Sequence, residues 1–275
     1  MPATNPIHLS PLPESLIMGI KKSCAGIHLH GAMLDLDQLR VLIRNGQENL
    51  LAREWLHREE QEKLQTLHYE KRHREWLGGR ICVKQAAIQY RQGNNLLAPH
   101  LLILSAASGR PFLAHKALPE DRSMPSISIS HSRRYALAVA ASTSCGIDIQ
   151  ISSDALGRVR DRFCSYEEEG LLGRDLGRLP GLDRLTLLWA AKEAVKKGAE
   201  LARMPGFLDL ILTHIEDIPE AKGLAAFLFT LDYSGSHQNA DNPQQRFQVT
   251  VCLHQGYGIG LCVLPAQPCP GDNHA

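Results

Sequence analysis

Residues 187–198, LLWAAKEAVKKG, space Trp189, Glu193 and Lys197 four apart, so a helix would align them in one stripe with Lys192 and Lys196 beside it. Earlier in the chain, CGIDIQ at 145–150 sets a lone carboxylate, Asp148, inside an apolar strand. An acid there is costly to bury unless it is paired, hydrogen-bonded or bound to a cation. A strand acid facing a helix acid can hold a hard cation whose other ligands are waters and phosphate oxygens. Flanking lysines would neutralise phosphate charge. A third stretch, SISISHS at 126–132, offers the hydroxyls of Ser130 and Ser132, the imidazole of His131 and turn amides, all donors suited to phosphate oxygens. Each stretch also has a plainer reading: a solvated helix face with a Glu–Lys pair, a carboxylate capping hairpin amides, and a surface histidine at a strand end.

Positioning these groups requires strands and helices in a definite order. SISIS alternates like a strand, HSRR reads as a turn, and YALAVAAS reads as a second strand with GIDIQIS as its hairpin partner. Alternation puts Ile147, Ile149 and Ile151 on one face and Gly146, Asp148 and Gln150 on the other. QENLLAREWLHREEQEKLQTL and HYEKRHREWLGGRICVKQAAIQYRQG read as helices, the second carrying Gly78 and Gly79 as points of close packing. LLILSAASGRPFL reads as a strand and a turn. In the second half, RVRDRFCSYEEEGLL and LDRLTLLWAAKEAVKKGAEL read as helices, FLDLILTHI and GLAAFLFTLDY as strands, and RFQVTVCLH with GYGIGLCVLP as a hairpin. SGSHQNADNPQQ is a polar loop. Each half supplies a long helix and a few strands, so the fold class is α+β with two similar lobes. Self-similarity between the halves is too faint in the sequence to prove a repeat.

Composition bounds the function. With 30 basic and 29 acidic residues the formal net charge is +1, which gives no general polyelectrolyte signal for nucleic acid or membrane, so any anion site is local. The seven cysteines are odd in number, scattered and free of CxxC pairs, a pattern of reduced thiols in a cytoplasmic protein. The N-terminal segment lacks the basic start and apolar core of a signal peptide. No stretch approaches the roughly 18 apolar residues of a membrane span. The expected organisation is a flexible leader over 1–20, an N-terminal lobe over 21–143, a C-terminal lobe with the cation site over 144–265, and a tail over 266–275.

Taken together, GRPFL at 109–113, ISHS at 129–132, GID at 146–148 and W-x-x-K-E-x-x-x-K from Trp189 to Lys197 resemble, in order and approximate spacing, the 4′-phosphopantetheinyl transferases of the larger, two-lobed Sfp-type class. RHREWLGGR at 72–80 and FCSYEE at 163–168 resemble two further elements of that family, and the coverage runs from about residue 50 to 200. The resemblance implies a pseudo-symmetric α+β protein, acting as a monomer, that moves the phosphopantetheine arm of coenzyme A onto a serine of an apo acyl or peptidyl carrier protein. It also implies Mg2+, with adenosine 3′,5′-bisphosphate released. Asp148 and Glu193 would then be the metal ligands, Lys197 a cation near the pyrophosphate, and His131 with Ser130 a phosphate holder. Arg110 and Pro111 would lie along the adenine, and Lys71 or Arg74 would reach the 3′-phosphate. Glu193 is the first candidate for the base that takes the serine proton, and Glu168 the second. Lys192 is either structural or turned to the phosphates. Many family members carry a second acid where this chain has Gln150, which can supply only a neutral oxygen or orient a metal-bound water. Arg133 and Arg134 are candidates for a basic surface facing an acidic carrier protein. A coenzyme A or nucleotide-binding protein without transfer activity is the alternative.

Overall fold

The computed structural model describes residues 7–24, 26–92, 96–114, 124–199, 201, 203–218, 225–234 and 245–265. The chain begins with β1 (Ser10–Pro11), α1 (Glu14–Ser23), β2 (Leu29–Asp35), α2 (Leu36–Arg44), α3 (Glu48–Trp55), α4 (Arg58–Gln65) and the long α5 (Glu70–Tyr90). Next come β3 (Leu102–Ser105), β4 (Pro111–Ala114), β5 (Ser126–Ser132) and β6 (Tyr135–Ala141). The second half runs β7 (Cys145–Ile151), α6 (Asp154–Gly157), α7 (Tyr166–Asp175), α8 (Gly181–Gly198), β8 (Leu210–Asp217), β9 (Ala226–Tyr233), β10 (Arg246–His254) and β11 (Tyr257–Val263). Helices and antiparallel sheets are mixed, as the α+β reading expects. One sheet has the order β1-β2-β6-β5, another β7-β11-β10-β9-β8, and β3 pairs with β4 in a separate hairpin.

Three expectations need correction. Residues 7–20 are not a flexible leader: Leu12, Leu16 and Ile20, at i, i+4 and i+8, bury one face from the end of β1 through α1 against both main sheets. Residues 1–6 and the tail over 266–275 lie outside the described residues. Nor does YALAVAAS form a hairpin with GIDIQIS. β6 lies between β2 and β5, whereas β7 crosses to the other sheet and pairs with β11. Residues 142–144 make the crossing, with the Thr143 hydroxyl donating to the Leu264 carbonyl at 2.7 Å. Finally, QENLLAREWLHREEQEKLQTL breaks into α3 and α4 at His57, where the imidazole caps the new helix and Glu60 bonds back to the His57 N–H.

Burial follows the strand period. In β6, Ala136, Ala138 and Ala140 face α5, whereas Leu137, Val139 and Ala141 face the core between the two sheets. In β7, Ile147 and Ile149 enter that central core, and Gly146 and Asp148 face α8. A Cβ on Gly146 would overlap the Ala194 carbonyl oxygen, and one on Gly260 of β11 would stand 2.5 Å from that of Ala190. The two glycines therefore let α8 lie directly on β7 and β11. This close approach brings a helix side chain onto a strand carboxylate.

The edges of the two sheets meet through serines. β5 and β7 run side by side with a constant offset of 19 residues, and the N–H groups of Ile147, Ile149 and Ile151 donate to the hydroxyls of Ser128, Ser130 and Ser132 at 3.0, 3.2 and 3.3 Å. Alternating serines thus satisfy an edge that would otherwise bury unpaired amides.

With α2 and α3 set aside in the first half and α6 in the second, the element orders β2-α4-α5-β3-β4-β5-β6 and β7-α7-α8-β8-β9-β10-β11 match. Each half ends in a hairpin with a non-glycine residue at positive φ, Arg133 at 47° and Gln255 at 49°. The side chains repeat as well. Glu60, in the first turn of α4, pairs with the wholly buried Lys84 of α5 and accepts the N–H of Ile103 at 3.2 Å. Glu168, in the first turn of α7, pairs with the wholly buried Lys192 of α8 at 2.7 Å and accepts the N–H of Leu212 at 2.8 Å. Both glutamates close a capping box, and the Glu-to-Lys separation is 24 residues in each half. Burial pulls the Lys84 ammonium down to about 8, against the opposing pull of Glu60.

Candidate functional site

Asp148 sits where β7 is flanked by β5 on one side and covered by α8 above. It is 6% exposed. The Ser130 hydroxyl donates to its Oδ1 at 2.7 Å, and Lys197 Nζ donates to the same oxygen at 2.7 Å. Lys197 also donates to Ser130 Oγ at 3.0 Å and to the Ile147 carbonyl at 3.1 Å. The carboxylate is therefore not capping hairpin amides. It is one corner of a triangle with a hydroxyl and an ammonium, built from three elements and drawn together by the glycines beneath α8. Oδ2 takes no part in either bond.

Glu193 lies one turn before Lys197 on α8 and is held by Lys196, whose Nζ is 2.9 Å from its Oε1. Both side chains are partly exposed, so this bond is weak enough to exchange for another ligand. Trp189 does not share the stripe's chemistry. It packs on Phe207 and Phe163, at ring-centroid distances of 4.4 and 5.1 Å. Lys192 turns inward, donating to the Phe163 carbonyl at 2.7 Å as well as to Glu168.

Glu168, the second candidate base, lies inside the core. It is 2% exposed, and its two oxygens are taken by the Lys192 ammonium, the Ser165 N–H and the Leu212 N–H. FCSYEE builds a capping box and a buried ion pair, whereas Glu193, one turn from Lys197 on α8, is partly exposed.

The first half adds its own charges. Alternation in β5 turns His131 away from the serine face, towards α5, with its Nδ1 3.6 Å from Glu75 Oε2. Lys71, one helical turn back, is 3.9 Å from Glu75 Oε1. Burial is the largest influence on His131 and pulls its imidazole below the ordinary value. Glu75 opposes this, Lys197 and Lys71 lower it further, and Asp148 raises it. The same side chain thus senses groups from β7, α5 and α8. Arg74 goes elsewhere: with Arg40, Arg44, Glu48, Glu70 and His73 it lines a cavity of about 250 Å³ between α2 and the start of α5. Of the two candidate cations on α5, Lys71 is the one beside His131.

Arg110 and Pro111 lie at the β3–β4 turn. There Gly109 takes φ +83° and the Ala106 N–H bonds to the Arg110 carbonyl at 2.8 Å, and β4 packs beside β5. Glu75 is the member that the sequence reading missed. The available signal was its i+4 spacing from Lys71 and its place just before the apolar WLGG run.

Among the described residues no group of three or more histidines, cysteines and carboxylates converges to hold a metal. Donor types that suit a hard cation are the carboxylate oxygens of Asp148 and Glu193 and, on the strand face of Asp148, the amide oxygen of Gln150. Gln150 faces the same side of β7 as Asp148, and its amide nitrogen donates to the Ile151 carbonyl at 3.1 Å, so its carbonyl oxygen is outside that bond. Two carboxylates fill about two of the six positions around a hard cation such as Mg2+, and water and phosphate oxygens suit the remainder. The chain matches no protein-family model and no curated protein.

Proposed function

We propose that the chain is a 4′-phosphopantetheinyl transferase of the two-lobed class, moving the phosphopantetheine arm of coenzyme A onto a serine of an apo carrier protein in the cytoplasm. One observation carries this reading. The four stretches on which the resemblance rests lie far apart in the sequence, and two of them, ISHS and GID, meet the lysine of the helix motif in a single hydrogen-bonded triangle, Ser130–Asp148–Lys197. No helix among the described residues is long and apolar enough to cross a membrane.

In this reading Asp148 and Glu193 would hold Mg2+, which when bound polarises the pyrophosphate and offsets its charge. Lys197, fixed by three acceptors, keeps a positive charge at the floor of the site. His131 and Lys71 supply donors to phosphate from the first half. The Glu193 carboxylate accepts the proton of the carrier serine. The serine oxygen bonds to the pantetheine-side phosphorus, the bond from that phosphorus to the bridging oxygen breaks, and adenosine 3′,5′-bisphosphate leaves with the electron pair.

The test is mass spectrometry of apo acyl and peptidyl carrier proteins after incubation with coenzyme A, Mg2+ and this protein. A phosphopantetheine mass increase is expected. Coenzyme A binding with unchanged carrier mass across the set would instead identify a binding protein without transfer activity.

Two results follow for single residues. His131→Ala and Lys197→Ala are each expected to weaken coenzyme A binding about ten- to a hundredfold in calorimetric titration, since a bond to a charged group contributes about 1.5–3 kcal/mol. Unchanged affinity in folded variants would mean that both are structural. Gln150→Glu is expected to lower the magnesium concentration for half-maximal transfer, because the new charge lies on the strand face of Asp148 and the cation offsets their repulsion. A magnesium titration at saturating coenzyme A decides it, and an identical metal dependence would place Gln150 outside the metal's reach.

A further inference from the structure

The Ser130–Asp148–Lys197 triangle uses neither histidine at the start of the first half. His28 immediately precedes β2 and His30 lies within it; two residues apart on extended chain, they project from the same face. Their Nε2 atoms stand 3.1 Å apart, and the Gln92 side-chain amide is 3.3 Å from the His30 Nε2. Tyr90, the last residue of α5, lies against the His28 ring with centroids 4.5 Å apart, and the His28 backbone N–H donates to the Ser142 hydroxyl at 3.3 Å. Three polar groups thus converge on one point, backed by an aromatic ring and a fixed backbone. His28 is exposed and His30 half-buried, so the point is open to solvent.

We propose that His28 and His30 chelate a first-row divalent transition metal, Zn2+, Ni2+ or Cu2+, at a site separate from the Ser130–Asp148–Lys197 triangle. At a metal–nitrogen distance of ~2.05 Å, two ligands are roughly 2.9 Å apart for a right angle and roughly 3.3 Å apart for a tetrahedral one. The observed 3.1 Å lies between. Imidazole pairs suit these metals, whereas magnesium takes oxygen donors. Because no third histidine, cysteine or carboxylate joins the pair among the described residues, the other ligands are water and the Gln92 carbonyl oxygen, which half a turn of the amide exchanges for its nitrogen. The metal is therefore exchangeable. Distance keeps the two sites apart: Glu75 and Tyr90 are separated by about 22 Å along α5 at the helical rise, and β6 lies between β2 and β5.

The experiment is calorimetric titration of the whole chain with Ni2+ or Zn2+ alone, for the unmodified protein, His28→Gln, His30→Gln, the double variant and Asp148→Asn. The described cysteines other than Cys24 are buried, and burial pushes the thiols of Cys82, Cys145, Cys164, Cys252 and Cys262 up, so they compete poorly. One equivalent is expected to bind the unmodified protein and Asp148→Asn alike. Each single histidine variant should bind it at least about tenfold more weakly, since even loss of an outer-shell partner costs that much. The double variant should lose both that equivalent and the metal-induced rise in melting temperature. Unchanged stoichiometry and affinity in the double variant, or an effect of only one histidine, would overturn the chelate. Both residues border solvent, and the metal-free melting temperature verifies that the variants fold.

Discussion

Asp148→Asn and Glu193→Gln are each expected to reduce phosphopantetheine transfer by about a hundred- to a thousandfold, the cost of removing one preorganised charge-stabilising group from a reacting centre. Both changes keep side-chain shape. In the Asp148→Asn variant the new amide oxygen still accepts from Ser130, and Glu193 makes only a partly exposed bond to Lys196. The fold should therefore survive, and circular dichroism with thermal melting verifies it. Rates come from the carrier-protein mass shift over time at several magnesium concentrations. If Asp148 holds the metal, added magnesium restores part of its lost rate. If Glu193 is also the base, magnesium restores less of its activity. Transfer at the unmodified rate by either variant would remove the assignment of that residue.

The second large effect is on stability. Lys192→Met leaves the Glu168 carboxylate buried beside two backbone N–H groups but without its ammonium, and breaking a buried pair from one side costs about 3–5 kcal/mol. Lys84→Met should cost a similar amount through Glu60, because the two halves build the same arrangement. Adding Glu168→Gln to Lys192→Met should recover much of the loss. The amide is neutral, and its oxygen still accepts from Ser165 or Leu212. Urea denaturation measures all three. Were Glu168 a base instead, Glu168→Gln alone would leave stability intact and abolish transfer. The buried geometry predicts the reverse, a loss of stability with transfer retained by the folded fraction.

Why the sequence concealed the place of Glu168 in the core is a matter of burial. Glu168 and Glu193 both occur in polar helical stretches, and nothing local separates a solvated glutamate from one that a distant lysine has drawn inside. The separating information is the 24-residue span from Glu168 to Lys192, closed only when α7 docks beside α8. The repeat was equally hidden: Glu60–Lys84 and Glu168–Lys192 share geometry and spacing, while the residues around them differ. The leader was misjudged for a related reason. Four prolines and a short apolar run look like loose chain until two sheets present a core for Leu16 and Ile20 to fill.

The residues alone carried what was local and periodic. The alternation in SISIS and GIDIQ set which side chains share a face, the long helices carried their own spacing, and balanced charge confined any anion site to a few residues. Partners were set by how the elements pack. Packing chose β11 over β6 for β7, aimed the β5 serines at the amides of Ile147, Ile149 and Ile151, sent Lys71 and Arg74 to different places, and set Lys197 on Asp148. The reason is physical. Side-chain direction follows from backbone geometry within a few residues, whereas an ion pair between β7 and α8 depends on helix-to-sheet packing, here fixed by two glycines that let the backbones touch.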